Sequence, residues 1–148
     1  MFAFLILMAR MLSGKLRFYI NYRKLNNISE KDKYSISLIK ELIKRLNKTK
    51  IFTKLDIRQG FYRIKINPDS EDLIIFRIRY RLYKYKIIFF RLTNRSAAFQ
   101  RYINTTFFDY LDRFLIIFIN NLLVYNKNIK KYKKHVKLVL KRLQNIKL

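Results

Sequence analysis

Chemistry-bearing side chains are few in this chain, and most of them are cations. Thirty-four Lys and Arg stand against nine Asp and Glu, with one His and no Cys among 148 residues. Without Cys there are no disulfides, thiolate zinc sites or thiol nucleophile, and the lone His135 cannot build a histidine cluster. Two places are singled out by residue type and position. Asp56 falls near the end of an alternating run, Ile51 to Ile57, and Asn120-Asn121 interrupts the apolar stretch Leu115 to Tyr125. Taken alone, Asp56 is an exposed strand-end carboxylate. Asn120-Asn121, taken alone, is a hairpin turn, because Asn tolerates the left-handed conformation. The net charge of +25 favours a polyanion, since each neutralised phosphate releases counterions. Charge confers neither sequence preference nor catalysis.

The elements that must position these residues follow from hydrophobic period. The length predicts one domain with one core, burying roughly two-thirds of the unfolded surface. Phe2 to Ala9 is apolar over too short a run to span a bilayer and lacks the leading positive region of a secretory signal, so it reads as a buried strand. Lys15 to Tyr22 alternates, with Leu16, Phe18, Ile20 and Tyr22 inward. Further strands are expected over Ile51 to Ile57, Tyr62 to Ile66, Leu73 to Arg79 and Leu82 to Phe90. Asn67-Pro68-Asp69 marks a turn, and Arg81 joins the last two strands with poor turn chemistry.

Three helices are expected. The first, near 36 to 47, starts at Ser35 or Ser37 and carries the stripe Leu38, Ile39, Leu42, Ile43 and Leu46. The second, from Ser96 to Phe114, repeats Phe99, Tyr102, Ile103, Thr106, Phe107, Tyr110, Leu111 and Phe114 at three- and four-residue steps. A basic helix from about Lys130 to Lys147 turns Val136, Val139, Leu140, Leu143 and Ile146 inward. The Lys130 to Lys137 run then reads as a solvated face, and so do Arg63, Lys65, Arg77 and Arg79, whose other reading is a template-tracking row. No repeat or linker interrupts this order, which predicts an α+β layered domain with an antiparallel sheet packed on helices.

Several motifs in fixed order identify a family resemblance. They are Leu16-Arg17-Phe18, Tyr22-Arg23-Lys24-Leu25-Asn26, Ile51 to Asp56, Phe76-Arg77, Arg79-Tyr80, Leu92-Thr93-Asn94 and Phe99-Gln100-Arg101. Together with Phe118-Ile119-Asn120-Asn121, they resemble the reverse transcriptases of gypsy-type LTR retrotransposons, fungal elements most closely. The resemblance implies a polymerase fingers and palm fragment over 1–148, ahead of the thumb and RNase H regions. It also implies an RNA or DNA template-primer and a deoxynucleoside triphosphate as partners, and no membrane.

In that family Asp56 is the first metal-binding carboxylate, and the positions of Asn120 and Asn121 are both Asp. Two Mg²⁺ ions about 4 Å apart activate the primer hydroxyl and hold the triphosphate. Mg²⁺ demands hard, charged oxygens, and an Asn offers one neutral oxygen in place of an anion. A unit-charge pair at 4 Å is worth about 4 kcal/mol at an effective dielectric of 20, so each missing carboxylate forfeits roughly twice that towards a divalent ion. The resemblance further places Arg17 on the triphosphate, Phe61 as the steric gate against a 2′ hydroxyl, and Gln100 on a helix facing the template. Arg91 falls at a Gly position where positive φ lets a nucleotide approach.

The departures from the family share a direction. Ser35, Ser37, Phe89 and Ser96 replace Pro; Arg81 and Arg91 replace Gly; Asn21, Asn120 and Asn121 replace Asp; Tyr62 replaces His; Ile74 and Ile78 replace Thr. Each needs one G-to-A or C-to-T change, save Phe89, which needs two. The chain holds only two Gly and one Pro, where average usage of about 7% and 5% predicts roughly ten and seven. This pattern predicts a silenced, degenerate copy mutated by a process such as repeat-induced point mutation. The expected polymerase is therefore inactive as written. The competing readings are a noncatalytic basic nucleic-acid-binding remnant and an open reading frame without a role. Absence of Cys fits an intracellular setting, cytoplasmic or nuclear, with a mitochondrial one left open.

Overall fold

The computed structural model describes every residue except 1, 2, 13, 15, 35–38, 47, 48 and 50. Where one core is expected from length, the chain divides into two compact units, 1–31 with 61–95 and 32–60 with 96–148.

In the first unit, β1 (Phe4–Arg10) pairs antiparallel with β2 (Leu16–Ile20) and parallel with β4 (Phe76–Ile78), which pairs antiparallel with β5 (Arg81–Tyr83). Ile20, Tyr22, Ile74, Phe76 and Phe89 form the buried cluster, with Phe4, Ile6 and Tyr85 packed against it. Tyr22 completes the cluster by donating its hydroxyl to the Ile74 carbonyl at 3.2 Å, and burial pushes its phenol pKa well up. Leu16 and Phe18, expected inward, stay 59% and 46% exposed, because the end of the β1–β2 hairpin carries them past the buried cluster. A helix that the hydrophobic period does not signal, α1 (Arg23–Ile28), follows β2 and has no fully buried residue.

Three strand expectations in this unit are shortened: 3₁₀ turns take the ends of two, and the segments about Lys65 and Ile87 pair only briefly, through Ile66 N–H to the Lys86 carbonyl at 3.0 Å and Ile88 N–H to the Ile64 carbonyl at 2.9 Å. Pro68 at the start of a 3₁₀ helix, with Asn67 capping it through Asp69 N–H at 3.2 Å, draws Leu73 and Ile74 into Pro68–Ile74 and leaves only Phe76–Ile78 extended. Tyr62 and Arg63 belong to a 3₁₀ turn, Gly60–Arg63, and Lys65 touches Ile87 by a single bridge. The stretch Leu82 to Phe90 is strand only to Tyr83. Arg81 is the first residue of β5 rather than its joining turn, since it pairs with Ile78 across Arg79-Tyr80.

The second unit is built on an antiparallel sheet of three strands, β3 (Ile51–Asp56), β7 (Asn121–Asn126) and β6 (Leu115–Phe118), with β7 central. Leu115, Ile116 and Ile117 are all buried, as a continuous apolar run should be, and their cross-strand partners on β7 include Leu122 and Val124, which have no exposed surface. Helices α2 (Ile39–Leu46), α3 (Arg95–Thr106) and α4 (Ile129–Asn145) accompany the sheet, the first residue of α3 belonging to the first unit. Ser35, Ser37 and Leu38, part of the expected start and stripe of α2, lie outside the described residues. Ile43 and Leu140, expected inward, are 54% and 47% exposed.

The expected long helix stops at Thr106, eight residues before Phe114. Its apolar period nevertheless continues: Phe107 and Phe114 are buried, because successive turns keep three- and four-residue steps. A positive φ of 59° at Asp112 then reverses the chain into β6. Gly60, one of two glycines, is required by packing. A Cβ there would stand 2.7 Å from Phe99 Cε2 and 2.9 Å from Ile57 Cγ2.

Candidate active site

Strand register brings Asp56 and the Asn pair to one end of the second unit's sheet. Asp56 lies directly opposite Asn121, and Asn121 opposite Phe118, so the three side chains share a face. That face is open, because Phe52, Lys54 and Asp56 alternate outward while Ile51, Thr53 and Leu55 turn inward. The loop between β6 and β7 has two residues, Ile119 and Asn120. Its carbonyl at Asn120 accepts from Ile57 N–H at 2.8 Å, tying the loop to the end of β3. Asn120 also donates its side-chain Nδ2 to Asp56 Oδ1 at 3.1 Å.

Sequence reasoning puts the left-handed residue of this turn among the asparagines. The structure puts it at Ile119, with φ 52°, and makes Asn121 the first residue of β7. A β-branched residue there costs about 1–2 kcal/mol and persists only where its surroundings over-determine it. Gln100 supplies that determination. From α3, 2% exposed, it accepts Ile119 N–H at 2.7 Å on Oε1 and donates Nε2 to the Ile117 carbonyl at 3.4 Å and to Asn104 Oδ1 at 2.9 Å. Asn104 in turn donates to the Tyr34 hydroxyl at 3.0 Å. Gln100 thus points inward onto the hairpin, a positioning role that spacing alone did not reveal. Its only sequence signal is a polar residue between the apolar positions Phe99 and Ile103 of a helix.

Arg17, Phe61 and Arg91 belong to the first unit, where Arg17 and Arg91 line different clefts. Arg17 is exposed on β2 and lines a cleft of about 550 Å³ with Tyr62, Phe89 and Arg95. Arg91 lines a different cleft of about 290 Å³ with Tyr19 and Asn26. Its φ of 93° is the left-handed geometry expected at this Gly position. Asn26 donates Nδ2 to the Arg91 carbonyl at 2.7 Å and accepts Thr93 N–H at 3.0 Å, while the Arg91 guanidinium lies 4.5 Å over the Tyr19 ring. Phe61 is half-buried beneath Arg95, whose guanidinium sits 3.6 Å from the ring centre. Burial holds Arg95 below the usual arginine pKa, and its Nε is buried without a hydrogen-bond partner.

Among the described residues, no group of three or more His, Cys, Asp or Glu is placed to hold a metal ion. No described helix is long and apolar enough to cross a membrane.

Comparison with known proteins agrees with this geometry. A solved foamy viral protease-reverse transcriptase in complex with RNA/DNA hybrid matches 96% of this chain at a TM-score of 0.82 and 15% identity, the match taking up 19% of that chain. An RNA-directed DNA polymerase homolog of Oenothera berteroana is 35% identical over 115 residues, 78% of this chain and 81% of that protein. The Pol polyprotein from transposon 297 of Drosophila melanogaster is 28% identical and the Tf2-7 transposon polyprotein of Schizosaccharomyces pombe 29%. They match 92% and 91% of this chain, which spans only 13% and 10% of their lengths. A family model described as reverse transcriptase (RNA-dependent DNA polymerase) covers residues 10–148. An α+β fold of the fingers and palm type, carrying Asp56 beside a two-residue hairpin, therefore belongs with that match: the chain is a member of the reverse transcriptase family.

Proposed function

We propose that this chain is the fingers and palm region of a gypsy-type, fungal-like retrotransposon reverse transcriptase whose own nucleotidyl transfer has been lost. One observation carries the reading: Asn120 Nδ2 donates to Asp56 Oδ1, so the single carboxylate of the set is held by an amide donor. In an active site of this lineage the same positions would offer three carboxylates to two Mg²⁺ ions. Here the donor set does not fit them. An amide nitrogen is no ligand, and turning the Asn120 amide over would set its oxygen against the Asp56 carboxylate. Lost carboxylate charge, roughly 8 kcal/mol of attraction per position before desolvation, is not restored by neutral oxygens.

The substrates of the lineage, a template-primer and a deoxynucleoside triphosphate, would meet further obstacles in the first unit. Arg95 covers the ring of Phe61, the aromatic gate of the resemblance, and Arg91 fills a position meant for glycine. These changes fit a degenerate copy, as does the one-directional G-to-A and C-to-T spectrum. Primer extension on an RNA template with Mg²⁺ tests the proposal. The expected result is no extended product, and robust extension would overturn it. Sequencing sister copies of the gene tests the decay, and equal numbers of transversions would count against it.

A further inference from the structure

The far end of the second unit's sheet carries a cleft that the polymerase reading does not use. Asn126 ends β7 five residues after Asn121, about 17 Å away at 3.4 Å per residue. There a cleft of about 600 Å³ is bounded by Arg113, Asn126, Lys131, Lys134 and His135, with Tyr110 and Phe114 among its walls. No carboxylate lines it. Asp109, the nearby acid of the preceding turns, is committed through both oxygens to Arg142.

Of these cations Arg113 lies in the field of Asp109, whereas Lys131 and Lys134 meet no carboxylate in the lining of the cleft. Lys131 and Lys134 lie three residues apart on α4, hence on one face about 5–6 Å apart. They fall in the opening turns of that helix, which hold no acidic residue in the first turn, where the macrodipole already carries positive potential. His135 reports the same field, since after burial the groups that push its pKa down are Arg113, Lys131 and Lys134. A lysine run on a helix is commonly a solvated face. Here the run shares its cleft with a ring stack, His135 on Phe114 at 3.9 Å and 15°, and His135 Nδ1 is held at 3.0 Å by the Asn126 amide.

We propose that this cleft binds single-stranded nucleic acid, with Arg113, Lys131 and Lys134 on phosphates and the His135 ring, backed by Phe114, against a base. Two lysines about 5–6 Å apart beside the His135 ring fit a strand better than an acidic peptide, which brings carboxylates without stacking surfaces. The site does not depend on the fate of the catalytic residues. Its failure and theirs are read by different measurements.

His135 is the only histidine of the chain, so its ring protons give single resolved NMR signals. Titrating the intact chain with an eight-nucleotide oligo-dT or oligo-U should move those signals saturably and raise the His135 pKa. An equal response to inorganic phosphate or to polyglutamate would overturn the proposal, as would oligonucleotide binding by anisotropy that leaves His135 unmoved. The double variant Lys131→Gln/Lys134→Gln should lower the salt slope of binding, d log K/d log[salt], by about 1.4 in magnitude. Lys137→Gln/Lys141→Gln removes the same charge from other positions of α4 and should change it much less. Equal losses for the two pairs would also overturn the assignment.

Discussion

Each unit has a turn whose residue disfavours its conformation and which a carboxamide from a neighbouring helix holds in place. In the second unit Gln100 of α3 clamps Ile119 at φ 52°. In the first, Asn26 of α1 clamps Arg91 at φ 93°. The clamps differ in setting. Both amides are satisfied at both ends, but Gln100 is buried whereas Asn26 is half-buried on a six-residue helix with no buried residue. Backbone clamps are local, so a turn needs only a residue that fits its clamp, whatever the chemistry of the side chain.

Gln100→Leu gives the largest expected effect. It leaves Ile119 N–H without its acceptor in a partly buried site and releases a strained turn. A loss of about 2–3 kcal/mol in urea unfolding is expected, with the near-ultraviolet signal lost first around the hairpin. Asn26→Ala should cost about 1 kcal/mol, since water can replace its bonds at the more open turn. A loss for Asn26→Ala equal to that of Gln100→Leu would break the comparison, because burial would then not govern the clamp. Arg91→Gly should change stability least, by under about 1 kcal/mol and in the stabilising direction. Relief of the left-handed residue, about 1–2 kcal/mol, is offset by lost contact of the guanidinium with Tyr19 and by glycine's backbone entropy. A marked destabilisation by Arg91→Gly would show that the cation, not the clamp, holds that turn.

Much of the second unit was legible in the residues. The alternation of Ile51 to Asp56, the apolar run Leu115 to Ile117 and, within the expected stripe of α4, Val139 and Leu143 translate directly into burial, because period and face are properties of local geometry. The end of α3 was not legible, because turns at three- and four-residue steps bury the same residues as a helix would. In the first unit the 3₁₀ helix Pro68–Ile74 was hidden in the same way. Apolar residues before Phe76 read as strand, while the Asn67 cap and Pro68 settled the backbone locally.

The candidate site divides along the same line. By themselves the residues determined that the positions of the Asn pair carry two amides and no carboxylate, that the chain is strongly basic, and that Asp56 closes a strand. These follow from side-chain chemistry and local period. Only the tertiary structure decided which groups meet. Register across β3, β7 and β6 sets Asp56 opposite Asn121, the two-residue turn swings Asn120 back to donate to Asp56, and Gln100 reaches from α3 to hold Ile119. The physical reason is that ladder register and long-range hydrogen bonds depend on how separate segments pack, across sequence separations of 64 and 19 residues that no local pattern encodes.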